Sequence, residues 1–283
     1  MSPRAALSAA GERAPPPASR AAPRVGVRHG EPVSGVRVLA EEAAIAFTYD
    51  FTSQAVMMAT PRDLEDFAVG FSLSEGLIGD AEEIESLEIA VQPLGVDLRI
   101  GLSAARREAF VARRRHMAGP AGCGLCGVES LAEARRALPR VAAEPRFTAA
   151  QVAEALATLA PAQVLNAETR AVHAAGFWRP GLGLVALRED VGRHNALDKL
   201  IGALARAGER GRPAIGEGLL MLTSRVSIEL VQKAAMIGAP VLVAVSAPSA
   251  LAVEAADQAN ITLAAIARAD GFEVFTHPHR LAL

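Results

Sequence analysis

Apolar residues recur at helical spacing over Leu64, Phe67, Ala68 and Phe71, which predicts a helix with that face in a core. Thr60-Pro61-Arg62-Asp63 reads as its start, with Thr60 as the cap, Pro61 in the first turn and Asp63 at the positive end. Gly76 or Gly79 reads as its stop. Residues 36–48 read as a hairpin, apolar and β-branched runs around an Ala-Glu-Glu turn. A further strand is expected over 54–59 and two more over 84–100. Together these elements predict a small α+β module over residues 25–115.

The second half alternates more regularly. Helices are expected over 128–138 and over 148–159, the latter capped by Thr148. Residues 172–177 and 183–187 pair as strands, and Asp190 begins a helix over 191–206. Short apolar runs at 218–222, 240–245 and 261–266 have the length of buried strands, with helices over 226–237 and 250–258 between them. Strand, helix, strand, helix, strand predicts right-handed crossovers and a parallel sheet. Ligands on such sheets sit beyond the carboxyl ends of the strands, here residues 223–225, 246–249 and 268–271. The fold class expected is α/β, a small N-terminal α+β module followed by an α/β domain over 116–283.

Composition narrows the function. The chain has 283 residues, 51% of them apolar, enough for a core and, at about 150 residues per domain, for two domains. A net charge of −2 gives no reason to expect a nucleic-acid partner. No apolar run approaches the ~20 residues of a spanning helix, so no membrane partner is expected. Residues 1–24 are mostly Ala, Pro, Ser and Arg with Glu12 as their one acid, which reads as a mobile tail. The tail faintly resembles a transit peptide but has no apolar secretory segment, so a cytoplasmic protein is expected. Two cysteines rule out a disulfide scaffold and a four-thiolate zinc site.

Those cysteines, Cys123 and Cys126, stand three apart among Gly122, Gly124 and Gly127. Glycine lets the backbone approach a ligand closely. The helix expected directly after places both thiols near its positive end, and the arginines at 106, 107 and 113–115 add positive potential; both effects favour thiolate. Three chemistries fit: dithiol redox, metal binding and sulfur relay through a persulfide. A zinc deaminase needs H-x-E followed by P-C-x-x-C. His29-Gly30-Glu31 supplies the first half beside the tail, but Pro120 stands three residues before Cys123, so the match is accidental and no metal is assigned.

Neither G-x-G-x-x-G after a strand nor a P-loop is present. Two strand-to-helix turns can take phosphate oxygens on backbone N–H groups: Arg188 to Asn195, with Arg193 and His194, and Thr223 to Ser227, with Ser224 and Arg225. His173, in a strand, reads as structural.

Taken together the motifs resemble the FdhD family of formate dehydrogenase accessory sulfurtransferases. They are TPRDLEDFAVGFSLSEGLI at 60–78, GCGLCGVESL at 122–131, VHAA at 172–175, REDVGRHNALDKLI at 188–201, SRVSIELVQKAAM at 224–236 and PVLVAVSAPSALAV at 240–253. The resemblance covers about residues 25–283 in the family order; C-G-x-C-G together with R-E-D-V-G-R-H-N-A-x-D-K is the specific part.

The resemblance implies a sulfur carrier. A cysteine desulfurase would load a persulfide on Cys123, with Cys126 assisting. The sulfur would pass to Mo-bis(molybdopterin guanine dinucleotide), or its tungsten form, before that cofactor enters formate dehydrogenase. The family's cofactor-binding stretch, after the last strand of the sheet, maps to Ile266, Ala267, Arg268, Ala269, Asp270 and Gly271. The resemblance further implies a cytidine-deaminase-like, three-layer C-terminal domain and a homodimer. A dithiol oxidoreductase, or a cofactor-binding chaperone that needs neither cysteine, are the competing functions. Two departures stand out. Thr169-Arg170-Ala171 replaces the family's T-G-G, and Arg268-Ala269-Asp270-Gly271-Phe272 replaces R-x-G-R-F.

Overall fold

Residues 14–116, 138–207 and 215–282 are described by a computed structural model. The chain opens with a two-stranded antiparallel ribbon, β1 (Ser19–Arg28) and β2 (Glu31–Ala40), paired along its whole length. β1 therefore begins inside the stretch expected to be a tail. Its Ala, Pro and Arg content hides a strand whose order comes from the ladder with β2 rather than from burial. The His29-Gly30-Glu31 triplet is this ribbon's turn.

The hairpin expected over 36–48 does not form. β2 stays with β1, and β3 (Ala43–Tyr49) enters a separate four-stranded sheet with β4 (Thr52–Ala59), β5 (Ile84–Gln92) and β6 (Gly95–Leu102), in the order β4-β3-β6-β5. β3 buries Ile45, Phe47 and Tyr49, and β2, largely exposed on both faces, offers nothing to cover them. The cover is α1 (Leu64–Ser74). Phe47 meets Phe67 edge-on at 4.9 Å between ring centroids and stacks on Phe71 at 4.2 Å. Thr60 does not cap this helix. It is buried and bonded elsewhere, and Asp63, in the left-handed region at φ 54°, holds the cap position without a side-chain bond. Gly76 ends α1 in a Schellman turn: Leu77 N–H donates to Ser72 O at 2.9 Å and Gly76 N–H to Leu73 O at 3.0 Å, with Gly76 at φ 67°. α2 (Ala104–His116) packs Phe110 on Tyr49.

The C-terminal half is built on a six-stranded mixed sheet of order β13-β12-β11-β10-β8-β9. Its strands are β8 (His173–Arg179), β9 (Gly183–Asp190), β10 (Leu219–Leu222), β11 (Val241–Ala244), β12 (Thr262–Arg268) and β13 (Gly271–Val274). β10, β11 and β12 run parallel, as the alternation predicts. β7 (Phe147–Thr148) and β14 (Leu281–Ala282) form a short pair beside it.

The sheet is buried on both faces. One face packs Phe177, Leu220, Leu242 and Leu263 against α5 (Arg193–Ala207), α6 (Ile228–Met236) and α7 (Ala250–Gln258). The other packs Trp178, Met221, Val243 and Ala264 against α3 (Ala149–Ala162). Thr148 caps α3, accepting from Gln151 N–H, as expected; α4 (Val164–Thr169) follows. α5 starts three residues later than Asp190, which is still the last residue of β9, and α6 starts at Ile228 rather than 226. The helix expected over 128–138 lies, apart from its last residue, outside the described residues.

Helices α1 and α5 lock the two halves together. A Cβ on Gly70 would stand 1.7 Å from Asp198 O, and one on Gly202 would stand 1.8 Å from Asp66 O. The two helix backbones therefore touch at reciprocal glycines. Around this crossing Arg188 and Arg206 both bind Asp66, at 2.7 and 2.6 Å. Ser74 donates to Asp198 at 2.6 Å, and Lys233 donates to Glu75 and Asp198 at 2.7 and 3.1 Å. Burial opposes the charge on Lys233, yet Asp198 and Glu75 hold its ammonium above the ordinary lysine value.

Candidate functional site

Strand directions bring most of the sequence candidates to one edge of the six-stranded sheet. The parallel strands end there at Leu222, Ala244 and Arg268; β8 starts there at His173, β9 ends there at Asp190, and β13 starts there at Gly271. The first turns of α5, α6 and α7 open at the same edge, which places the positive ends of three helices there. The loops after β10 and β11 are knitted together: Val226 N–H donates to Ala247 O at 3.1 Å and Ser249 N–H to Val226 O at 2.9 Å. β12 and β9 are four strand steps apart, about 19 Å at the usual inter-strand spacing.

At the β9 end, most of the R-E-D-V-G-R-H-N-A-x-D-K motif faces inward. Asp190 accepts from Thr60 N–H (3.0 Å), Gly192 N–H (2.7 Å), Asn195 Nδ2 (2.9 Å) and Lys199 Nζ (2.6 Å). Lys199 also donates to Thr60 O at 2.7 Å, and Asn195 to Met58 O at 2.9 Å. Burial pushes the Lys199 ammonium down, opposed by Asp190. Glu189 caps α4, accepting from Leu165 and Asn166 N–H at 2.8 Å each. Arg188, expected to hold phosphate, is committed to Asp66.

This leaves Arg193 and His194 at the edge. Arg193 Nε is buried without a hydrogen-bond partner, and so is Glu229 Oε2 on α6. His194 Nε2 lies 3.4 Å from Ser227 Oγ and 3.8 Å from Glu229 Oε2. Burial, then the neighbouring Arg193 charge, pushes His194 down to about 4. The same two causes lower His173. Both imidazoles are thus neutral at pH 7, and the positive charge between them belongs to Arg193.

In the loop after β10, Thr223 and Ser224 turn their hydroxyls to the backbone, Thr223 Oγ1 accepting from Ala174 N–H at 2.8 Å and Ser224 donating to Arg225 O at 3.1 Å. Neither hydroxyl is aimed at the edge as expected, whereas the Arg225 side chain is exposed. Ser227, the last residue of the expected turn, and Glu229, which the sequence does not single out, face His194 instead. Their signal was their place in the first turn of α6.

Ile266 to Gly271 were expected after the sheet's last strand. Ile266, Ala267 and Arg268 instead belong to β12, Ala269 and Asp270 form its exposed turn, and Gly271 starts β13, which is the true sheet edge. β12 bulges between Ala265 and Arg268, where Ile266 is held at φ 54°, a costly conformation for a β-branched residue. Arg268 folds back onto the carbonyls of Val245 and Ala267. Cys123 and Cys126 lie outside the described residues.

The FdhD/NarQ family model matches residues 40–282. The chain belongs to the FdhD/NarQ family. Among FdhD relatives it is 50% identical over 261 residues to the sulfur carrier protein FdhD of Agrobacterium fabrum, covering 92% of this chain and 95% of that one. It is 53% identical over 246 residues to that of Brucella abortus, covering 87% and 90%. A crystal structure described as a formate dehydrogenase accessory protein from Desulfotalea psychrophila superposes with a TM-score of 0.72 at 27% identity, over 94% of this chain and all of that one. Where the FdhD resemblance leads one to expect a glycine, Arg170 adopts the glycine-like left-handed conformation at φ 57°, ψ 29°, ending α4.

Proposed function

We propose that this chain is a sulfur carrier for formate dehydrogenase maturation. The Cys123 thiolate attacks the outer sulfur of a cysteine desulfurase persulfide. A new S–S bond forms on Cys123, the old one breaks, and the desulfurase thiolate leaves, so no net oxidation occurs. Release of the carried sulfur as sulfide takes two electrons. Attack of the Cys126 thiolate on Cys123 Sγ supplies them and leaves a Cys123–Cys126 disulfide for an external dithiol to reduce.

The recipient is Mo-bis(molybdopterin guanine dinucleotide) or its tungsten form, handled as cargo. We place its anionic groups along the sheet edge, at Arg193, Arg225, the first turn of α6 and the β12–β13 turn. His194 and Ser224 shape that edge rather than carry charge to it. A cytidine-deaminase-like reading of the C-terminal domain is supported by its three parallel strands with helices on both faces.

What carries the proposal is a family match that spans the cysteine pair and the sheet edge alike. The test is intact-protein mass spectrometry after incubation with a cysteine desulfurase, cysteine and its pyridoxal cofactor. One added sulfur, about 32 Da, mapped to Cys123 and removed by dithiothreitol, is expected. Loss of two hydrogens without added sulfur would favour a dithiol oxidoreductase. Full formate dehydrogenase activity in cells carrying Cys123→Ala would sink the relay.

A further inference from the structure

Three neighbouring strands of the six-stranded sheet, β10, β8 and β9, each have an arginine three residues beyond their end at the ligand edge. Arg193 follows the end of β9 at Asp190, Arg225 follows the end of β10 at Leu222, and Arg170 precedes the start of β8 at His173. The ladders bring these ends together. His173 pairs with Asp190, and Thr223 N–H donates to Ala174 O at 3.0 Å. Three residues span at most about 11 Å, so Arg170 stands within that distance of the start of β8. Burial, then the Arg193 charge, lowers His173, which sets the Arg193 guanidinium beside the same strand end.

Arg170 and Arg225 are exposed, and none of the three arginines makes an ion pair among the described residues. Arg170 also holds a strained backbone. It ends α4 in the left-handed region at φ 57°, ψ 29°, where glycine fits without penalty and a side chain does not. Strain kept beside a ligand edge points to a role for the side chain that bears it. Three cations gathered without paired carboxylates repel one another until an anion lies between them.

We infer that Arg170 is a third phosphate-binding arginine of this edge, and that with Arg193 and Arg225 it binds the diphosphate of the cargo's guanine dinucleotide. The inference rests on the proposed function, which puts the cargo's anionic groups here. A guanidinium takes two phosphate oxygens at once through its fork of N–H groups, and a diphosphate has oxygens enough for three such forks.

Calorimetric titration of the full chain with guanosine diphosphate, and with guanosine as the phosphate-free control, tests this. Arg170→Gly should bind guanosine diphosphate about tenfold more weakly, bind guanosine as the wild type does, and melt no lower than the wild type. Arg170→Lys, which keeps the charge, should fall between the two. An unchanged affinity for guanosine diphosphate in Arg170→Gly would overturn the inference, as would an equal loss for guanosine. A melting temperature that falls with the affinity would also overturn it, because Arg170 would then serve only the negative end of α4. A wild-type chain that takes up sulfur on Cys123 but binds no guanosine diphosphate would overturn the phosphate edge and leave the relay standing. A tenfold loss in Arg170→Gly, in a chain that never takes up sulfur on Cys123, would support the edge and sink the relay.

Discussion

The crossing of α1 and α5 allows a quantitative prediction. Gly70→Ala places a methyl 1.7 Å from Asp198 O and 2.6 Å from Gly202 N, and Gly202→Ala places one 1.8 Å from Asp66 O. A methyl needs about 3.2 Å from a carbonyl oxygen, so the helices must part by roughly 1.5 Å, with backbone on both sides and no flexible side chain to yield. Overpacking of this kind costs about 1–3 kcal/mol or more, against about 1 kcal/mol that alanine returns in helix propensity. Because both clashes are with backbone under 2 Å away, the upper end applies, and each single variant should lose about 2 kcal/mol. Once either methyl has separated the helices, the second meets less resistance, so the double variant should lose about 1 kcal/mol or more less than the two single losses taken together. Urea unfolding of the four proteins measures this. Additivity within about 0.3 kcal/mol, or a neutral single variant, would refute the reciprocal contact.

Two further predictions follow from local geometry. His194 is pushed down to about 4 in the folded chain, so as pH falls below about 6.5 the unfolded chain takes up the proton first; the stabilisation is full above that pH and is lost towards pH 4, by up to about 3 kcal/mol. Urea unfolding between pH 7.5 and 4.5 should show a shallower loss for His194→Gln, and parallel profiles would show that the imidazole is not held neutral. Arg170 sits in the left-handed region at φ 57°, where a non-glycine residue pays about 1 kcal/mol, so Arg170→Gly should stabilise by about 0.5 kcal/mol after its added unfolded-state entropy. A fall in melting temperature relative to wild type would contradict that.

Local signals were read correctly wherever the deciding partner is close in sequence. Thr148 and Gln151 make a capping box three residues apart, Gly76 closes α1, and the apolar runs of β10, β11 and β12 needed only their length and the helices between them. The larger failures are matters of partner choice, beside small shifts in where α5, α6 and β12 begin or end. Nothing in residues 36–48 says that β2 prefers β1 and that β3 prefers β4, because a two-residue link between strands looks the same whether it turns a hairpin or changes sheets. Thr60 has the chemistry of a cap, but its backbone and hydroxyl answer to Asp190, Lys199 and Val191, some 130 residues away. The same distance hid the split within R-E-D-V-G-R-H-N-A-x-D-K. Arg188 and Arg193 look alike on paper, yet one binds Asp66 and the other reaches the sheet edge.

That split bears on where a ligand belongs. On the inner side of α5 the charged groups Asp190, Asp198, Lys199 and Lys233 are each bonded to named partners from the other half of the chain or from a neighbouring helix. At the opening of the same helix, Arg193 Nε and Glu229 Oε2 are buried with no hydrogen-bond partner, and leaving a buried polar atom unsatisfied costs about 1–3 kcal/mol. In the proposed function the cargo therefore meets the opening of α5 rather than its inner side, where these charges already have partners. Arg193 supplies the positive charge for the anionic groups proposed at this edge, and the neutral imidazoles of His194 and His173 add none. The rigid weld of α1 to α5 fixes the place of this opening relative to the N-terminal module.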